Sequence, residues 1–121
     1  MKITFSFGQN WKNYVKNVVD LKVVQEAKNS LSKYLPEGEY KNKVFIDVGC
    51  GSGLFSLSAI LLDCKHVISF DMDPASIEAT LLLKEKFYHI IPKHCSWDIF
   101  QGNILDRNLV EKLKGEGDVV Y

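Results

Sequence analysis

Apolar positions along the chain fall into runs of two kinds that take turns. In "VVDLKVVQEAKNSLSKYL" the residues Leu21, Val24, Ala27, Leu31 and Tyr34 or Leu35 recur at helical spacing, with Asp20 available as a cap, and predict an amphipathic helix. The stretch "LPEGEYKNK", residues 35–43, ends that pattern with Pro36 and Gly38. Beyond it Val44–Val48 reads as a buried strand and "LFSLSAILL" as a helix. The alternation continues with "HVISF" as a strand, "PASIEATLLLKEKFY" as a helix opened by Pro74, "WDIFQ" as a strand, "RNLVEKLK" as a short helix and "DVVY" as the start of another strand. Asp73 and Asp106 are predicted caps of the two later helices. Strands alternating with helices imply right-handed crossovers and a doubly wound parallel sheet with both faces covered. The expected organisation is a helical segment and linker over 1–43, then an α/β unit over 44–121.

Composition narrows the class without naming a function. At 121 residues, 46% hydrophobic and 25% charged, the chain is an ordinary globular domain large enough to bury a core. Fifteen basic and fifteen acidic residues balance to a formal charge of zero, which gives no global field toward nucleic acid or an anionic membrane. No apolar run approaches the roughly twenty residues that span a bilayer, and "MKITFSFGQNWKNYV" lacks the pattern of a signal peptide, so the expected location is cytoplasmic. Cys50, Cys64 and Cys95 are an odd set without paired spacing and read as reduced thiols. His89, His94 and Cys95 crowd into "HIIPKHC", but that spacing matches no common zinc pattern, and no metal is expected.

The densest chemistry lies in "VFIDVGCGSGLFSLSAI". Gly49, Gly51 and Gly53 stand between strand and helix, where they permit positive φ and close approach of a ligand to the backbone, with Cys50 among them. Ligands in such sheets bind beyond the carboxyl ends of the strands. A dinucleotide fingerprint would place its third glycine at 54, which is Leu54, and an acid at Asp47 would repel a pyrophosphate. S-adenosylmethionine has no phosphate and carries a positive sulfonium and ammonium, so Asp47 suits it better. Asp71, closing the second strand, can accept hydrogen bonds from ribose hydroxyls, a feature that NAD enzymes share.

These residues carry a resemblance. "FIDVGCGSG" resembles the first motif of class I S-adenosylmethionine-dependent methyltransferases, and "ISFDMDP", "FQGNILD" and "GEGDVVY" resemble the later strand ends in register. "FSFGQNWKNYV" is similar to the N-terminal segment of the ubiquinone-biosynthesis-like methyltransferases. The resemblance implies a Rossmann-like sheet of order 3-2-1-4-5-7-6, of which this chain would hold 3-2-1-4, and S-adenosyl-L-methionine as cofactor. It implies that Met72 packs on the adenine ring, the alternative being a gap-filling core methionine. Asn103 would accept from the adenine amine while the Ile104 N–H donates to a ring nitrogen, or Asn103 serves only its turn. Trp11 and Tyr14 would lie on a helix over the methionine end or the acceptor pocket, or simply anchor that helix.

The function these readings support is the cofactor-binding half of a methyltransferase acting on a small molecule, the neutral charge balance disfavouring nucleic acid. The alternatives are a non-catalytic Rossmann-like binding module and, third, an NAD-dependent oxidoreductase. No catalytic base stands out. The chain stops just inside the fourth strand, so by itself it is expected to be inactive and to self-associate through that strand's exposed edge.

Overall fold

The computed structural model describes residues 7–121, so the opening of the "FSFGQNWKNYV" segment lies outside the described residues. Two helices, α1 (Phe7–Asn17) and α2 (Leu21–Ser32), precede β1 (Val44–Val48). Then follow α3 (Leu54–Leu61), β2 (His66–Asp71), α4 (Pro74–Lys86), a single 3-10 turn (Tyr88–Ile90), β3 (Ser96–Gln101), α5 (Arg107–Leu113) and β4 (Val119–Val120). All strand pairs are parallel and the order is β3-β2-β1-β4, the order the resemblance implied.

Alternation along each strand sorts the core into two layers. Phe45, Val67 and Trp97 point to the face that α2, α3 and α4 cover, packing with Leu31, Leu57, Ile60 and Leu83. Ile46, Ile68 and Phe70 point the other way, against Phe100, Leu109 and Leu113 of β3 and α5. Asp20, Asp73 and Asp106 each cap a helix as predicted, accepting from the N–H of Val23, Ala75 and Asn108 respectively.

The structure corrects some boundaries. The fourth helix stops at Lys86 rather than at Tyr88, because the chain tightens into the 3-10 turn there. Leu21 and Tyr34, assigned to the apolar stripe of α2, are exposed, and the buried stripe is Val24, Ala27 and Leu31. Leu21 is the first residue of the helix, one turn above the packed face, and Tyr34 lies past its end, edge-on to Tyr121 at 5.7 Å.

α1 lies along α4. Val15 and Val19 are fully buried, and Lys12 Nζ pairs with Glu78 Oε2 at 3.0 Å. Lys86 Nζ donates to the carbonyls of Val15 at 2.8 Å and Val19 at 2.6 Å, filling acceptors that the C-terminal end of a helix leaves open.

Candidate functional site

The glycine turn sits at the carboxyl end of β1. The backbone N–H groups of Gly49 and Cys50 both donate to the Phe70 carbonyl at 2.9 and 3.1 Å, tying the turn to the end of β2. Gly49, Gly51 and Gly53 have φ of 69°, 56° and 81°. At Gly53 the left-handed φ is compounded by crowding, since an added Cβ would lie 2.6 Å from Thr80 Cγ2. Thr80 itself pins the turn from α4, its hydroxyl donating to the Gly51 carbonyl at 3.0 Å and lying 3.4 Å from Cys50 Sγ.

Asp71 bridges the same turn. Its Oδ2 accepts from the Gly51 N–H at 3.1 Å and its Oδ1 from the Asp73 N–H at 3.0 Å. An ionised carboxylate offers about four lone-pair directions, so both oxygens retain capacity for a further donor.

Beside the turn is a cavity of about 480 Å³ lined by Trp11, Tyr14, Asp47, Gly49, Phe55 and Tyr121 among others. Trp11 reaches it from α1 and covers the turn, its indole about 3.0 Å from where a Cβ on Gly51 would stand. Among the described residues Asp47 is the single charged side chain in the lining, and no described lysine, arginine or histidine joins it. The carboxylate is buried, which pushes its pKa up to about 6; a hydrogen bond from Ser56 opposes that rise and the nearby Asp71 adds to it. A buried acid without a cation is a place for a positively charged ligand and an unfavourable one for a phosphate. The residues therefore fit a ligand with an ammonium and a sulfonium.

Other candidates sit as follows. Burial pushes the Cys50 thiol up to about 12, so it is a protonated, unreactive member of the turn. Met72 is 62% exposed just past β2, which removes the gap-filling core alternative; Gln101 Nε2 donates to its carbonyl at 3.0 Å. Asn103 Oδ1 accepts from the Leu105 N–H at 2.9 Å, so it does serve its turn, with a lone pair to spare. Ile104 is exposed beyond β3 and lines a small apolar groove with Val48 and Phe70. Among the described residues, His89, His94 and Cys95 belong to no group arranged to hold a metal. His66 lies at the opposite strand ends, 2.7 Å from Asp98, in a larger cavity of about 600 Å³ under α5 that does not touch the glycine turn. No described helix is long and apolar enough to cross a membrane.

Sequence reading missed a set of residues behind Asp47. Ser56 Oγ donates to Asp47 Oδ2 at 2.6 Å and lies 2.6 Å from Ser69 Oγ, and Trp97 Nε1 donates to Ser69 Oγ at 2.8 Å. The available signal was a polar residue inside each of three mostly apolar core segments: Asp47 in "VFIDV", Ser56 in "LFSLSAIL" and Ser69 in "HVISFD".

Sheet order, glycine turn and acidic strand ends together define the class I S-adenosylmethionine-dependent methyltransferase fold. Residues 27–105 match the family model described as ribosomal protein L11 methyltransferase (PrmA), and the chain belongs to that family. A ribosomal protein L11 methyltransferase of Psychrobacter arcticus is 47% identical over 47 residues, covering 39% of this chain and 15% of that protein. Another, from Hamiltonella defensa, is 33% identical over 89 residues, covering 65% of this chain and 29% of that protein. The matched segments thus span well under half the length of these curated relatives. In fold, magnesium protoporphyrin IX methyltransferase of Synechocystis PCC 6803, solved with bound SAH, aligns with a TM-score of 0.53 at 15% identity, over 99% of this chain and 47% of that one.

These relatives overturn one expectation. The small-molecule acceptor was inferred from the balanced charge, yet the acceptor in the relatives' name is a protein. A net charge of zero argues against a polyanionic partner; it does not distinguish a small molecule from a protein surface.

Proposed function

We propose that this protein binds S-adenosylmethionine at the glycine turn and supports methyl transfer to a protein acceptor. The observation that carries the reading is the cavity beside Gly49 and Gly51 whose one charged side chain among the described residues is the buried Asp47. In this reading Asp47 faces the cationic methionine end and Gly49, Cys50, Gly51 and Gly53 bring the backbone close to the ligand. Asp71 takes the ribose hydroxyls with the lone pairs left by Gly51 and Asp73. Met72, Asn103 and Ile104, at the ends of β2 and β3, flank the adenine. Residues 44–121 are the cofactor unit, and α1 closes over it through Trp11.

When bound, the cofactor supplies an activated methyl group on sulfur. The protein's own residues then have two tasks, to align the acceptor and to keep water away. Trp11, Tyr14, Phe55 and Tyr121 form the apolar wall that serves the second task. The name of the relatives supports a ribosomal protein as the acceptor class.

Calorimetry with S-adenosylhomocysteine tests the cofactor assignment. Binding should be measurable, should fall by about tenfold to a hundredfold in Asp71→Ala, as expected for loss of hydrogen bonds to a charged group, and should be absent for NAD. Affinity unchanged by Asp71→Ala removes that residue from the site, and tight NAD binding overturns the reading. Methyl transfer from labelled cofactor to ribosomal protein L11 tests the acceptor.

A further inference from the structure

We infer that Trp97, Ser69 and Ser56 form a one-way hydrogen-bond relay that positions Asp47 and holds its carboxylate as an acceptor at the ligand cavity. The inference rests on the cofactor reading only for what Asp47 faces; the relay itself is a property of the ligand-free protein.

The direction of the relay follows from its ends. An indole N–H can only donate, and an ionised carboxylate can only accept. Between Trp97 Nε1 and Asp47 Oδ2 stand the hydroxyls of Ser69 and Ser56, each with a single proton. Trp97 donates to Ser69 at 2.8 Å, so Ser69 donates to Ser56 at 2.6 Å, and Ser56 donates to Asp47 at 2.6 Å. Every other arrangement leaves a hydroxyl proton without an acceptor along this line. If Oδ2 took up a proton and donated back to Ser56, Ser56 would turn its proton on Ser69, which already accepts from the indole. The Ser69 proton would then lose its acceptor. All four residues are buried, so water does not offer a substitute.

Trp97 therefore acts on a carboxylate two serines away, crossing from β3 through β2 and α3 to β1. It is a positioning residue. The titratable neighbours of Asp47 on other elements are few. Among the described residues Asp71 at the end of β2 bears on it electrostatically, and Asp47 in turn raises the Cys50 thiol of the turn. Tyr14 of α1 and Tyr121 after β4 line the same cavity, and α3, "LFSLSAIL", has no ionisable side chain. Burial alone would favour the neutral acid, and the terminal Ser56 bond opposes it.

The test follows the Asp47 carboxyl carbon by NMR titration of the ligand-free protein, with Asp47→Asn to assign the signal. Trp97→Phe keeps an aromatic ring and removes the donor. The Ser69 proton still has only Ser56 as its acceptor, so the bond directions stand and only the polarisation of the line by the indole is lost, and the midpoint should rise by about half a pH unit. Ser56→Ala should raise it by about one unit. Ser69→Ala cuts the same line one bond lower, so Trp97→Phe with Ser69→Ala should shift the midpoint no further than Ser69→Ala alone. A purely structural role for Trp97 predicts that the two shifts add. In parallel, affinity for S-adenosylhomocysteine should be about twofold weaker at pH 6 in Trp97→Phe and equal to the parent's at pH 8. An unchanged midpoint in Ser56→Ala, or shifts of Trp97→Phe and Ser69→Ala that add in the double variant, overturns the relay. Absence of S-adenosylhomocysteine binding in the parent, with the NMR pattern intact, overturns the cofactor reading and leaves the relay standing.

Discussion

At the scale of single residues, Asp47 holds a conflict between folding and binding. Its carboxyl titrates near 6 in the folded protein against an ordinary value of 3.8, because burial disfavours the charge. The folded state thus binds the proton more tightly than the unfolded chain. That contribution is complete below about pH 4 and is lost as pH rises through about 6. Above pH 6 the ionised acid costs the fold about 3 kcal/mol. Asp47→Asn should consequently be more stable than the parent by about 1 to 3 kcal/mol at pH 8, with the difference shrinking toward pH 4. Urea unfolding at both pH values checks this, and a difference independent of pH would show that Asp47 does not carry the buried charge. The acid itself and the glycines around it were legible in sequence because they sit within one short segment. Ser56, Ser69, Trp97 and Thr80 were not, because their partners lie 9 to 29 residues away and only the fold brings them together.

Among the elements, strands and caps were readable from local pattern: short apolar runs marked the strands, and three aspartates marked three helix starts, whereas the sorting of Phe45 from Ile46 onto opposite faces came only with the structure. The docking of α1 was not, since its clamp joins residues about 70 apart. Lys86 Nζ reaches the carbonyls of Val15 and Val19 at the end of α1, and Lys12 meets Glu78 along the helix pair. The Lys12 pair is substantially exposed and contributes little. The Lys86 bonds are partly buried, and loss of a charged donor to a backbone carbonyl costs about 1.5 to 3 kcal/mol. Lys86→Met should therefore loosen α1 and its Trp11 cover while leaving β1, β2 and β3 intact. Hydrogen exchange should accelerate by tenfold or more in α1 and stay unchanged in the central strands. Equal acceleration everywhere would mean that Lys86 supports the whole fold rather than the helix.

For the molecule as a whole, the sheet order set the position of the site. β1 and β2 lie side by side, so the glycine turn after one and Asp71 after the other meet at a single edge, as the hydrogen bond from the Gly51 N–H to the Asp71 carboxylate records. The acceptor was beyond reach of such reasoning, because net charge carries no information on which uncharged or mixed surface a protein meets. Cofactor binding should couple the parts of this edge, since a ligand in the cavity touches β1, the turn and α1 together and binds only when they are assembled. At a hundredfold excess over its dissociation constant a ligand that binds the folded state alone adds about 2.7 kcal/mol, which for a domain of this size is an upward shift in Tm of roughly 10 °C. S-adenosylhomocysteine should produce that shift and NAD should not. Lys86→Met should reduce it at fixed ligand concentration, because part of the binding energy must then re-seat α1. A full shift in Lys86→Met would place the ligand entirely on the strand ends and remove Trp11 from the site. A shift with NAD equal to that with S-adenosylhomocysteine would mean that Asp47 does not discriminate charge at all.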